Sequence, residues 1–390
     1  MKARNFSKSM FVTAAGGAMM LMVTGCGDGR KVPENSLAFA DVVYVEDGYP
    51  VTWELAQGDT LDLPVLGVSD FVVKDSLLIV SNNDNAGRVT VLSLDGTTVY
   101  GKFLRIGRGP GEIVSFNGVS SVQFSHKENG HLTASWTDYA GNLMEWDVTA
   151  SLESGQTEVT SRSLELQDSP LLLDAVPLEG QEYLIVHAGA DRNSINRFIL
   201  TSDGERRTTP PLARLNSATV KAEPESGSGR VVGSGNMVSF SVPGFNLING
   251  SYAYESSRGL IVEAERTLNT MNIFSADGTY ARTVCTYGDR VDDVSSVEHD
   301  SDARLALRPK TYPDFISVLH WFREPEVKQY VRLFSYEGEP LAGIPLPKGG
   351  IFYDMDIPGG CLYVLISGQE LLIRYDVSGL LEDIIPSQEQ

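Results

Sequence analysis

The chain has 390 residues, of which 42% are hydrophobic and 21% charged, and its 51 acidic against 31 basic side chains give a formal charge of −20. A body this acidic repels phosphate backbones and anionic headgroups, which argues against nucleic acid as a partner. Beyond residue 25 no uninterrupted apolar run reaches the length of about 18 residues that a membrane-spanning helix needs.

Lys2, Arg4 and Lys8 form a basic start, and Met10–Val23 is an apolar stretch of signal-peptide length. Val23-Thr24-Gly25-Cys26 follows and resembles the lipobox of bacterial lipoproteins, in which the cysteine is diacylated and becomes the mature N-terminus. The resemblance implies a lipoprotein signal peptide at 1–25 and lipidation at Cys26. It also implies a cell-envelope location, with Gly27 directing the protein to the outer membrane, on either face. Each buried CH₂ of an acyl chain contributes about 0.8 kcal/mol, so the anchor would hold while the body stays in water. Residues 26–36 are polar, with Gly and Pro, and read as a tether; the fold is expected over 37–385.

Three apolar runs in Ser76–Glu112, namely Leu77–Val80, Val89–Leu92 and Phe103–Ile106, are separated by Asn-, Asp- and Gly-rich breaks, the pattern of antiparallel strands joined by hairpins. The run LLIV has five counterparts, at His131–Trp136, Tyr183–Ala188, Leu260–Glu265, Phe315–His320 and Cys361–Ile366. A turn marker after the next strand repeats with them: Asp95-Gly96, Asp147, Asp203-Gly204, Asp277-Gly278, Glu337-Gly338 and Asp376. Trp146-Asp147-Val148-Thr149 with Leu152-Glu153 also parallels Tyr375-Asp376-Val377-Ser378 with Leu381-Glu382. The mean spacing, about 56 residues, holds four short strands and their turns, one blade of a β-propeller. The expected fold is therefore all-β, a six-bladed β-propeller.

Lys221–Asn236, rich in Gly and Ser, reads as a surface insertion of the fourth blade, and Asp289–Asp302 as a second exposed loop. In the last unit the tail LLEDIIPSQEQ makes a poor fourth strand. An N-terminal strand, Asp41–Val45 or Val51–Leu55, is expected to pair beside Leu371–Tyr375 and close the ring. Cys285 and Cys361 fall two repeats apart and are expected to be free thiols.

Ile106-Gly107-Arg108-Gly109-Pro110-Gly111-Glu112 cannot lie within a regular strand and reads as a shaped loop. It lacks the G-x-x-x-x-G-K-[ST] pattern of a phosphate cradle. A strand ending in Asp-Gly followed by one closing in IGRGPGE is similar to the TolB-like six-bladed propeller lipoproteins, over roughly residues 40–380. That resemblance implies the fold and an envelope location but no established catalytic residues.

Enzymatic signatures are sparse. Ser275-Ala276-Asp277-Gly278 lacks a residue of the sialidase S-x-D-x-G-x-x-W box, and no room remains for an α/β-hydrolase domain with G-x-S-x-G. The five histidines, His126, His131, His187, His299 and His320, show no H-E-x-x-H spacing. Asn82-Asn83-Asp84-Asn85 could offer oxygens to Ca²⁺, but in an EF-hand alignment Ser93 occupies the bidentate Glu position, and a hairpin turn fits better. No metal site and no cofactor are expected, with Ca²⁺ left open.

Trp136, His187, His320 and Trp321, closely followed by Arg323, lie near the ends of equivalent strands, and with Arg108 and Glu112 they are the candidate binding residues at the channel mouth. The alternatives for them are packing between blades and, for Arg108 and Glu112, pairing with each other. The leading functional expectation is a non-enzymatic, lipid-anchored module that binds or scaffolds an envelope protein, peptide or saccharide. The alternatives are a metal-dependent propeller enzyme, lactonase- or lyase-like, acting at the central channel, and a purely structural envelope component.

Overall fold

The computed structural model describes residues 30–46, 48–164, 171–220, 244–296, 308–322 and 328–385. Cys26, Arg323, the 1–25 segment, Lys221–Asn236 and the last part of Asp289–Asp302 lie outside the described residues. Six small sheets make up the body, arranged as a six-bladed β-propeller.

Each blade is an antiparallel meander whose first strand lies innermost. Blade 1 is Asp70–Lys74, Leu77–Ser81, Val89–Ser93 and Val99–Phe103. Blade 2 runs from Gln123–His126 to Val159–Ser163, and blade 3 from Leu172–Pro177 to Arg206–Arg207. Blades 4, 5 and 6 begin at Gly250–Glu255, Lys310–Thr311 and Gly350–Asp356. All six LLIV-like runs fall in second strands, and all six turn markers end third strands or lie just beyond them. One run differs from expectation: the fourth strand of blade 1 is Val99–Phe103, so Phe103 ends a strand and Leu104–Ile106 already belongs to the loop.

Six apolar clusters explain why the repeat is readable, because each fills one interface between neighbouring blades. Leu78 and Val80 pack with Tyr363, Leu365 and Leu372 of blade 6. Ile79, between them, packs with Trp136 and Trp146 of blade 2. A strand covered on both faces needs apolar residues at consecutive positions, hence LLIV instead of alternation. Similar clusters join blades 2 and 3 through Leu143 and Ile185, 3 and 4 through Val186 and Tyr252, 4 and 5 through Ile273 and Val318, and 5 and 6 through Leu319 and Met355.

The N-terminal segment threads the outer edges of three blades in turn. Val42–Tyr44 adds in parallel to Ala281–Cys285 of blade 4, and Val51–Thr52 adds in parallel to Pro340–Pro345 of blade 5. Asp59–Leu61 then pairs antiparallel with Leu371–Asp376 and completes blade 6. Ring closure by an N-terminal strand is thus found, but neither Asp41–Val45 nor Val51–Leu55 provides it. Both of those strands cap edges earlier in the ring, protecting them from further pairing.

The parallel between Asp147 and Asp376 marks helices in place of hairpins. Asp147 caps Val148–Ser154 by accepting from the Ala150 amide at 2.9 Å, and Asp376 accepts from the Ser378 amide at 2.9 Å where Ser378–Ile384 begins. That second helix is what the tail forms instead of a strand. Cys285 and Cys361 are both free thiols.

Candidate functional site

Inner strands of a propeller converge on its axis, so side chains at their ends meet although they are far apart in sequence. At the end where the inner strands begin, blades 1, 4, 5 and 6 and the turn that precedes blade 2 line a cavity of about 330 Å³. Phe71, Ile351 and Phe352 form an apolar wall, Ser120, Ser121 and Ser251 contribute hydroxyls, and Arg266, Arg308 and Lys310 contribute charge. A second cavity of about 250 Å³ opens at the other end, between Lys74, His126, Glu179 and Glu255.

Between the two, the Gln123 side chain donates its Nε2 to the Tyr252 carbonyl at 2.9 Å, and Arg308 reaches the same carbonyl at 3.4 Å. Gln123 is buried, and its bond from blade 2 to blade 4 spans the inner strand of blade 3. Gln123 lines the second cavity, and Ser251, next to Tyr252, lines the mouth.

The cations differ in their partners. Lys310 pairs with Asp354 at 2.9 Å, and Asp354 also accepts from the Tyr312 hydroxyl at 2.8 Å and the Val73 amide at 2.9 Å, tying blades 5, 6 and 1 together. Burial depresses the Lys310 pKa even with Asp354 beside it. Burial would raise Asp354, but Lys310, Lys74 and the Val73 amide together hold its carboxyl below the ordinary value. Arg308 pairs with Asp174 of blade 3 at 3.3 Å. Arg266 is placed at the mouth by following directly on the second strand of blade 4. Burial first, and then the Arg308 guanidinium, lower its pKa from the ordinary arginine value.

Behind this wall lies a buried network in blades 3 and 4. Arg197 donates to Glu263 at 2.6 Å and to the Tyr252 hydroxyl at 2.9 Å, and Tyr252 donates to Glu263 at 2.5 Å. Glu265, also fully buried, has no hydrogen-bond partner for either carboxylate oxygen among the described residues. Burial, then the Glu263 charge, raise its pKa well above the ordinary 4.5.

The structure does not bring the sequence-selected residues together at this mouth. Trp136 packs edge-on against Phe116 at 5.3 Å in the interface of blades 1 and 2. His187 sets its ring against Phe198 at 5.8 Å, and its Nδ1 lies 3.1 Å from the Ala188 carbonyl. His320 is buried, with Nε2 3.2 Å from Thr286 Oγ1, and burial followed by Arg332 pushes its pKa well below 6.5, so it stays neutral. Trp321 follows it in the same strand. Second strands lie one layer out from the axis, which is why these rings meet blade interfaces and not the channel.

Arg108 and Glu112 do not pair with each other. Glu112 accepts from the Gly109 amide at 2.7 Å and lies 3.5 Å from Arg105. A Cβ on Gly107 would collide with that carboxylate, while only Gly111 of the three glycines has a positive φ, +72°. The loop is closed by Gly107 N donating to Ile113 O at 3.0 Å, and Ile113 is buried between blades 1 and 2. It is therefore a shaped connection that folds around its own glutamate.

Asn82–Asn85 likewise forms a turn: the Asp84 amide donates to Asn82 Oδ1 at 2.8 Å, Ala86 to Asp84 Oδ1 at 2.9 Å, and Lys102 pairs with Asp84. Among the described residues no group of three or more His, Cys, Asp or Glu side chains is placed to hold a metal ion. No described helix is long and apolar enough to cross a membrane.

No family model and no curated protein matches the chain. Among solved structures, a member of the DUF4221 family from Bacteroides vulgatus is similar, with a TM-score of 0.51 and 10% identity, covering 83% of this chain and 96% of that one. A calcium-binding protein, regucalcin, from Agrobacterium tumefaciens gives 0.43 at 10% identity over 84% and 95%, and streptogramin B lyase gives 0.40 at 10% over 82% and 97%. Likeness at this identity shows the fold alone, and the fold is a six-bladed β-propeller.

Proposed function

We propose that the protein is a lipid-anchored envelope module of the TolB-like lipoprotein type whose propeller binds a saccharide, peptide or protein at its axial mouth without transforming it. The observation that carries the reading is the cavity itself. About 330 Å³ lies within the range of ligand pockets, and it combines an apolar wall with a few convergent polar groups. Anchor and envelope location are supported by the basic start, the apolar stretch and Cys26.

Two measurements test this. Cys26→Ser should abolish metabolic labelling by palmitate and release the protein from membranes; unchanged labelling overturns the anchor. Ser120→Trp should fill the mouth, because the Ser120 side chain borders the cavity while only its backbone amide is engaged, by Asp70 at 3.2 Å. Compounds or partners recovered from intact membranes by the wild-type chain and lost with Ser120→Trp support binding at the mouth. Recovery that Ser120→Trp leaves unchanged, or turnover of a recovered compound by the purified chain, overturns it.

A further inference from the structure

Three cations line the mouth, and only two of them are in contact with a carboxylate. Of its three cations, Lys310 has Asp354 and Arg308 has Asp174, but Arg266 has no ion pair or hydrogen bond among the described residues. Its neighbour in sequence, Glu265, is fully buried beside the charge of Glu263, and burial first, then that charge, raise its pKa well above the ordinary value. In a chain of net charge −20, a guanidinium that no carboxylate contacts, reached only at longer range by Asp174 and Glu265 and standing beside a second guanidinium in a concave site, is a local concentration of positive charge.

Ser120 and Ser251 add two hydroxyls that make no hydrogen bond within the protein among the described residues. A guanidinium presents a fixed fork of donors matched to a carboxylate or phosphate, and low-dielectric walls strengthen the pairing. The volume corresponds to about eleven waters at roughly 30 Å³ each, far more than an inorganic anion fills. An inorganic ion would also leave Phe71, Ile351 and Phe352 uncovered.

Resting on the proposed binding role of this same mouth, we infer that its ligand is a small organic anion. The anionic head sits against Arg266 and Arg308 within reach of Ser120 and Ser251, and the apolar body lies on Phe71, Ile351 and Phe352. The binding is non-covalent. Arg266 is the discriminating residue, since Arg308 already has a carboxylate and Arg266 gains one only from the ligand.

The test uses the full chain in detergent, titrated calorimetrically with phenylacetate, its neutral amide phenylacetamide, and inorganic phosphate. Phenylacetate should bind at least tenfold more tightly than phenylacetamide and more tightly than phosphate, and Arg266→Met should bring the first ratio to near one. Arg266→Lys should retain part of the preference. Arg266→Met removes an unpaired charge, so its thermal midpoint should not fall, and a matching midpoint verifies that lost binding is not lost folding.

Equal binding of acid and amide, or an acid preference that survives Arg266→Met, overturns the inference. Phosphate binding more tightly than phenylacetate overturns its organic part. If no anion binds while recovery from membranes still depends on an unfilled mouth in the Ser120→Trp comparison, the anion assignment fails and the binding role stands.

Discussion

Gln123 of blade 2 donates to the carbonyl of Tyr252 of blade 4 across 2.9 Å; Gln123 lines the second cavity, and Ser251, next to Tyr252, lines the mouth. A side-chain amide is well suited to that position, because it reaches a backbone carbonyl that the blade's own ladder leaves pointing inward, and a buried carbonyl without a donor would be costly. Arg308 gives that carbonyl only a longer second bond, at 3.4 Å.

Gln123→Ala should therefore lower stability by about 1 kcal/mol, the net worth of a hydrogen bond. The urea midpoint should fall at an unchanged slope. A loss near zero would mean that Arg308 takes over the carbonyl completely.

Glu265 predicts a pH effect of definite sign. Its pKa is raised in the folded state, so its favourable contribution is full below the ordinary 4.5 and is eroded as pH rises from there towards the raised value. The slope over that window is about 1.4 kcal/mol per pH unit. Glu265→Gln should be more stable than wild type at pH 8 by more than about 1 kcal/mol and close to it at pH 4, as read from urea unfolding at the two pH values. A Glu265→Gln chain that is equally destabilised at both would show that the carboxyl is held by a partner in its charged form.

Asp354 predicts the opposite trend. Its pKa is lowered, so its contribution is present above the ordinary 3.8 and lost as pH falls through the folded value. Asp354→Ala leaves Lys310 buried without its carboxylate and should cost about 3–5 kcal/mol at pH 7, whereas Asp354→Ala with Lys310→Met should cost less than the single change. Chemical denaturation of the four chains measures the coupling directly, and strict additivity would contradict it.

Gly118 precedes the turn Val119–Ser121 with φ +106°, and a Cβ there would fall on the Asp70 carboxylate. Both the backbone region and the space are closed to other residues. Gly118→Ala should cost about 2–4 kcal/mol, seen as a lower thermal midpoint, and pairing it with Asp70→Ala should recover the part due to collision but not the part due to φ.

The blade count can be read from the chain because blade packing is local and repetitive. Leu78, Ile79 and Val80 must each meet a neighbouring blade, so second strands carry consecutive apolar residues, and Asp or Glu ends or closely follows every third strand. The shaped connection at Ile106–Glu112 and the turn at Asn82–Asn85 are equally legible, since Gly, Asn and Asp act over a few residues. Which N-terminal strand closes blade 6 cannot be read the same way. Val42–Tyr44, Val51–Thr52 and Asp59–Leu61 are all short and of similar composition, and only the path around the outside of blades 4 and 5 brings Asp59–Leu61 to Leu371–Asp376.

The mouth is illegible in the chain for a related reason. Arg266, Arg308 and Lys310 look in the sequence like any solvated charges, and Asp174 and Asp354 lie far from them along the chain. Aromatic residues at second-strand ends are the visible signal, but they sit one layer too far from the axis and pack between blades. By itself the sequence determined the repeat, and with it the fold, because each blade's apolar pattern is set by contacts within and beside that blade. Only the tertiary structure decided where charge accumulates, because closing a ring brings together the inner-strand ends of units about 56 residues apart, a proximity that no local pattern encodes.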